Sequence, residues 1–265
     1  MPDDFADSTL PVAFISGATG GLGQAFSREL AAQGYRLILL GRDKERLQAL
    51  AASLAVPCMT QALDFSEAQS IRALQRYFNE MHICVDVLIN NAGWGLLQAF
   101  DKTPIRNIED MIRVDVNTLS ALCALCVPSM KEREKGAILN VASIAGFMPC
   151  PYFAVYSAAK AYVLSFSEAL HEELKPLGIA VTALCPGPID TAFWHRAGLA
   201  SCSRFDWTMV SAERVVREGL TALSDNRAVC VPGWLNKLLV VSAQIAPRPL
   251  VRLIAREVMQ WAGKN

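Results

Sequence analysis

Neither sign of charge is in excess in this 265-residue chain: 25 Lys and Arg balance 25 Asp and Glu, for a formal net charge of zero. A surface that neutralises many phosphates needs a basic excess, so no nucleic-acid partner is expected. Histidine is scarce, at three residues, and the Cys-x-x-C of Cys123 and Cys126 has no second pair to complete a zinc site. No metal is expected, and the eight cysteines read as small core hydrophobes. Residues 1–10 hold three Asp and no Lys or Arg, so the positive region of a secretory signal is missing and the expected compartment is the cytoplasm. Internal repeats, low-complexity runs and linkers are also missing, which predicts a single domain over 1–265, with a core of about 11–232 and a tail of about 233–265. In that tail neither apolar segment reaches the roughly twenty uninterrupted residues of a spanning helix, so no transmembrane segment is expected.

What the chain does have is apolar residues, 52% of the total, in short runs that alternate with helical patterns. Strands are expected at Pro11–Ser16, Arg36–Leu40, Pro57–Leu63, Val85–Asn90, Ala137–Ala142, Ala180–Cys185 and about Ala228–Val231. Helices are expected at Gln24–Gln33, Lys44–Leu54, Glu67–Glu80, Ile105–Met130 and Val155–Leu174, with Ser66 and Gln69 as a capping box for the third strand's helix. Strands apolar along their whole length call for neighbours and cover on both faces. The fold class is therefore α/β, a doubly wound, seven-stranded parallel sheet of Rossmann type with a C-terminal helical extension.

The first strand runs into Ser16-Gly17-Ala18-Thr19-Gly20-Gly21-Leu22-Gly23. Glycines there let the backbone approach a pyrophosphate, while the following helix offers unpaired N–H groups and the positive end of its dipole. The second strand ends at Gly41-Arg42-Asp43, where the adenosine ribose of a dinucleotide would lie. Arg42, with Lys44 and Arg46 nearby, suits the 2′-phosphate of NADP rather than NAD, or is a solvated surface charge. Asp43 reads as the N-cap of the next helix.

Tyr156 and Lys160 are four apart, which puts them on one helix face, and Ser143 lies thirteen residues upstream. A phenol titrates near 10; an ammonium about 5 Å away at an effective dielectric of about 20 contributes about 3 kcal/mol, or roughly two pKa units. The expectation is a tyrosine brought close to neutrality, with a cationic nicotinamide supplying the remainder.

Together these motifs resemble the short-chain dehydrogenases/reductases of the short, single-domain type, from about Val12 to Val231. The family's Thr-Gly-x-x-x-Gly-x-Gly is present with Ser16 in place of threonine, and its Asn-Asn-Ala-Gly falls on Asn90 to Gly93. The resemblance implies Asn117, Ser143, Tyr156 and Lys160 as catalytic residues. Tyr156 would exchange a proton with a carbonyl or alcohol oxygen, Ser143 would orient that oxygen, and Lys160 would also hold the nicotinamide ribose. Asn117 would distort its helix and support a proton relay. Cofactor contacts would involve Ser16, Gly17, Thr19, Gly21, Leu22, Gly23, Arg42, Asp64, Asn90, Ala92, Gly93, Lys160, Pro186, Gly187 and Thr191. The resemblance also implies homodimers or homotetramers built through the two long helices.

Substrate is expected beyond the strand ends, at Trp94, Phe147, Met148, Tyr152, Phe193 and Trp194. No cluster of cations stands there, which favours a hydrophobic ketone, aldehyde or secondary alcohol. The tail predicts two helices, Trp234–Ala246 and Arg248–Trp261, the second with an apolar stripe of Val251, Ile254, Val258 and Trp261. That stripe packs on the domain, lids the pocket or meets another subunit; peripheral contact with a membrane surface is the alternative. An NADP(H)-binding sensor or scaffold without turnover would use the same fold. A sugar-nucleotide epimerase would share Tyr-x-x-x-Lys but needs a larger C-terminal substrate domain.

Overall fold

Each short apolar run forms a strand in the computed structural model, which describes residues 10–67, 69–81, 83–189, 193, 197 and 208–263. The strands are β1 Val12–Ile15, β2 Arg36–Gly41, β3 Cys58–Ala62, β4 Val87–Asn90, β5 Gly136–Val141, β6 Ile179–Leu184 and β7 Val229–Cys230. They pair in parallel in the order β3-β2-β1-β4-β5-β6-β7. Around them run α1 Gly21–Ala32, α2 Lys44–Ala52, α3 Gln69–Met81, α4 Ile105–Ile112, α5 Leu119–Glu132, α6 Ala154–Leu174, α7 Ala212–Ser224, α8 Trp234–Ile245 and α9 Arg248–Gly263.

Alternate side chains of a strand enter opposite core layers. Val12 and Phe14 pack with Phe78 of α3, Leu122 of α5 and Val163 of α6, whereas Ala13 and Ile15 pack with Phe26 of α1, Leu47 of α2 and Val216 of α7. Burial on both faces is why the strands show no polar alternation. The chain crosses from the edge strand β3 back to β4 beside β1, so a crevice opens where those two neighbours diverge at their C-terminal ends.

Three local features differ from the sequence reading. The long helix is interrupted by a π turn, Arg113–Thr118, between α4 and α5. Ser66 does not cap α3 with Gln69: its hydroxyl donates to Asp64 at 2.8 Å, and the Gln69 amide donates to Glu67 at 3.0 Å. The Asp64 carboxylate, five residues before α3 begins, outcompetes the box because it also accepts the Ser66 amide at 2.9 Å. Helix α7 was not anticipated, although a parallel β6-to-β7 connection requires a crossover of this kind. Ser211 caps it through the Arg214 amide, and Val215, Val216, Gly219, Ala222 and Leu223 form its buried stripe.

The segment Ile105–Glu132 is long and apolar enough, by length and composition, to cross a bilayer, with a mean hydropathy of 1.4 over its best window. Its residues Leu119, Leu122, Cys123, Cys126 and Met130 are instead core of the sheet's first face. Among the described residues no cysteine is disulfide-bonded and no group of three or more metal-ligating side chains occurs.

Candidate active site

The glycine turn is fixed from beneath. Ser16 Oγ accepts the amides of Asn91 and Ala92, each at 3.0 Å, and the Asn91 side chain donates to the Ser16 and Gly17 carbonyls at 3.1 and 3.0 Å. Gly17 has φ +65°, and a Cβ there would stand 2.9 Å from Ala92 Cα, so this position takes only glycine. Gly23 lies against the Gly17 carbonyl with no room for a side chain. Thus β1 and β4 are tied together at the point where the crevice opens.

One cavity of about 940 Å³ follows this crevice. Of the expected cofactor residues, Gly17, Thr19, Gly21, Leu22, Arg42, Asp64, Ala92, Gly93, Lys160, Pro186 and Gly187 line it. Ser16, Gly23 and Asn90 do not: the first two hold the turn, and Asn90 points into the core, where its amide donates to Asn140 at 2.8 Å. Thr191 lies outside the described residues, as does Trp194. Asn91 lines the cavity and was not singled out in the sequence, although it stands beside Asn90 in the same motif. Asp43 caps α2 through the Arg46 amide at 3.0 Å, leaving Arg42 as the charged lining residue at the end of β2; Arg46 itself donates to the Thr19 carbonyl at 2.9 Å.

A dinucleotide fits these residues. The turn leaves backbone where side chains would obstruct a pyrophosphate, and α1 begins there at Gly20 with no side-chain cap on its free N–H groups.

At the other end Ser143, Tyr156 and Lys160 meet. Tyr156 and Lys160 share the inner face of α6 and are buried. The ammonium lies 5.5 Å from the Tyr156 ring centre, and Ser143, whose hydroxyl accepts the Ala145 amide at 3.2 Å, lines the same cavity. Phe153 stacks on Tyr156 with ring centres 4.2 Å apart, and Phe193 stands 5.7 Å away on another side.

Asn117 is not part of this group. It is exposed on the π turn, whereas Asp115 is buried and places Oδ1 2.9 Å from Lys160 Nζ. Two residues on, a helix has turned by about 200°, so Asp115 and Asn117 cannot both face inward. The helix distortion expected of Asn117 does occur there, but it serves Asp115. Asp115 Oδ2 accepts the Trp94 amide at 3.1 Å, and Lys160 also donates to the Val141 carbonyl at 3.0 Å. A Cβ on Gly93 would come 2.7 Å from Asp115 Oδ1 and 3.2 Å from Lys160 Nζ, so that glycine makes room for the pair. An acid flanked by Val114 and Val116, opposite a lysine that must be buried, was the available signal.

Burial changes the electrostatic expectation. It lowers the tendency of Lys160 to hold its proton, but Asp115 and then Tyr156 outweigh it and keep the ammonium above its usual value. Burial pushes Asp115 up while Lys160 and the Trp94 amide pull it back. Oδ1 is ion-paired with the Lys160 ammonium and Oδ2 accepts the Trp94 amide, contacts that favour the carboxylate form. Tyr156, expected near neutrality, is instead pushed above 10: burial dominates, Lys160 opposes it, and Asp115 adds to the rise.

Of the expected substrate residues, Trp94, Met148 and Phe193 line the cavity. Phe147 packs toward the sheet's first core layer from the turn Ile144–Phe147. Tyr152 is engaged elsewhere: its hydroxyl accepts from the Gln260 amide at 2.5 Å. The cavity's remaining wall comes from the tail, through Leu239 and Ala243 of α8 and Val251, Ile254, Val258 and Met259 of α9. The amide of buried Asn236 in α8 donates to the Thr208 and Pro232 carbonyls at 3.2 and 2.9 Å and stands against Gly187. Trp234, Leu238, Val241 and Ile245 form an exposed stripe on the outer side of α8.

A parallel sheet with a glycine cradle at its switch point, and a Ser-Tyr-Lys group facing the same crevice, defines the nicotinamide-dinucleotide oxidoreductases of Rossmann type. Within that class the chain belongs to the short chain dehydrogenase family, whose profile matches residues 11–200. It is 32% identical over 244 residues to a very-long-chain 3-oxoacyl-CoA reductase of Anas platyrhynchos, covering 87% of this chain and 76% of that one. It is 36% identical over 181 residues, 66% of this chain and 54% of the other, to a rat (Rattus norvegicus) protein named inactive hydroxysteroid dehydrogenase-like protein 1. A short-chain dehydrogenase from Sphingobium yanoikuyae, solved in complex with NADPH, superimposes with a TM-score of 0.78 at 30% identity, covering 88% of this chain and 92% of that one.

Proposed function

We propose that this oxidoreductase is an NADP(H)-dependent reductase of hydrophobic ketones or aldehydes in which Tyr156 is the proton donor. The observation that carries the proposal is the convergence of Tyr156, Ser143 and Lys160 on a cavity whose substrate end is walled mainly by apolar side chains. The cofactor, when bound, supplies the hydride. The chain's residues do the rest. Ser143 donates a hydrogen bond to the oxygen to be reduced, Tyr156 O–H delivers its proton to that oxygen, and Lys160 steadies the phenolate left behind. Asp64, Thr19 and the glycine turn would hold the adenosine and pyrophosphate portions, and Arg42 would meet a 2′-phosphate.

The substrate end, with Trp94, Met148, Phe193, Val251, Ile254 and Met259, suits an acyl-chain or polycyclic carbonyl rather than a small charged one. The named activity of the duck relative is in keeping with this choice. Assembly into homodimers or homotetramers through the 105–132 segment and α6 is supported by exposed Ile112 and Tyr162 on those helices.

A second reading, a dinucleotide-binding sensor without turnover, draws support from the rat relative named inactive. The test is consumption of NADPH, followed by its absorbance, against a panel of carbonyl compounds. Decay with hydrophobic members is expected. Tight NADPH binding with no decay on any member would favour the sensor, and reaction of only small charged compounds would overturn the substrate class.

A further inference from the structure

The feature that the proposed mechanism leaves unused is Asp115. Its side chain is fully buried, with 0% exposure, and is reached from three directions: the Lys160 ammonium at 2.9 Å, the Trp94 amide at 3.1 Å and the Cβ-free face of Gly93. A lone lysine beside a tyrosine acts on it as a full positive charge. Here that charge has a counter-charge in direct contact, so the phenol sees a dipole, whose effect falls off faster with distance than that of an isolated ion.

The other groups facing the phenol do not restore the missing positive charge. On its own helix Tyr156 faces Phe153 and Lys160; from the π turn comes Asp115, from the end of β5 the neutral Ser143, from the preceding loop Cys150, and from the segment after β6 Phe193. Lys160 faces Asp115, Tyr156 and, from the end of β6, Cys185. The Cys150 thiol is pushed up to about 11 by burial and stays neutral. Cys185 is pushed up as well, by burial first.

We propose that Asp115 is a positioning residue that locks Lys160 in place and, as its counter-charge, keeps the resting Tyr156 phenol protonated, a bias toward the form from which carbonyl reduction starts and which alcohol oxidation must first ionise. In the favoured direction the hydride adds to the carbonyl carbon, the C=O π pair takes the Tyr156 proton, the nicotinamide is left oxidised, and the phenolate regains a proton from water. The reverse direction must start from the phenolate, which beside a buried carboxylate is populated in the resting site only at alkaline pH. The inference rests on the reductase reading for its direction of reaction, but not for its electrostatics.

The test separates the two. Phenolate absorbance is titrated in cofactor-free wild type and in Asp115→Asn, each against its own Tyr156→Phe counterpart, so that the difference reports Tyr156 alone. Asparagine keeps the shape and can still accept from the Trp94 amide. The Tyr156 midpoint is expected to fall by about one pH unit or more in Asp115→Asn. An unchanged or raised midpoint would overturn the proposal, and a purely structural role would lower thermal stability without moving it. If Asp115→Asn does not fold, the wild-type protein still decides: alcohol oxidation should rise only through the alkaline range while carbonyl reduction is already full at neutral pH. An oxidation limb centred at or below pH 7 would refute the bias. Absence of turnover with every carbonyl would sink the reductase reading and leave the titration result standing.

Discussion

The side-chain amide of Gln260, near the end of α9, donates to the hydroxyl of Tyr152 at 2.5 Å across 108 residues of sequence. Tyr152 sits just before α6 at φ +64°, a left-handed conformation that costs a non-glycine residue on the order of 1–3 kcal/mol, and its carbonyl accepts from the Gln98 amide at 2.8 Å. The bond therefore ties the tail to the loop that delivers Tyr156. The residues just before Gln260, Val258 and Met259, line the apolar end of the cavity.

Gln260→Ala removes a partly buried hydrogen bond worth about 1 kcal/mol. The melting temperature should drop by a few degrees, and KM for bulky carbonyls should rise more than kcat falls, because the wall moves and the proton donor does not. Steady-state kinetics with one small and one bulky substrate checks this; an equal effect on both would show that the tail does not shape the pocket.

Arg42 is the cation at the cavity's adenosine end, with Asp43 occupied in capping α2. Arg42→Ala should weaken NADPH about tenfold or more, the usual scale for a charge-assisted contact, and leave NADH nearly unchanged. Fluorescence titration with both reduced cofactors measures it, and parallel losses would remove Arg42 as the discriminator.

Buried thiols make the fold sensitive to alkali. Burial raises Cys123 to about 12 and Cys58 to about 11 from an ordinary value of 9. The folded state then holds protons that the unfolded chain has released, so stability is full below pH 9 and is lost as pH rises through the folded values. Cys123→Ser, which does not titrate in this range, should flatten the decline in melting temperature between pH 9 and 11. An identical slope in both proteins would assign the decline to other groups.

The repeating layer of strand and helix was readable because burial on both sheet faces forces apolar strands, and Gly17 to Gly23 was readable because close backbone contacts admit only glycine. Tyr156 and Lys160 were readable from helical spacing. Asp115 was not, since two candidate polar residues lay two positions apart and only the phase of a π turn, set by packing against α6, decides which turns inward. Nor was the protonation of Tyr156: spacing gave the lysine's attraction, but the larger effect of burial depends on Phe153, Phe193 and the buried carboxylate, which come together only in three dimensions. Tyr152 reads as a pocket aromatic from its place in the chain, and its partner Gln260 is too distant in sequence to be paired with it.

The central claim is that the Tyr156 phenol gives the proton during carbonyl reduction, and removing its oxygen tests it most directly. NADPH consumption with a hydrophobic ketone, measured for wild type and Tyr156→Phe alongside NADPH affinity, should show turnover reduced by about 10²-fold or more with affinity retained. Turnover close to wild type in the phenylalanine variant would contradict the account.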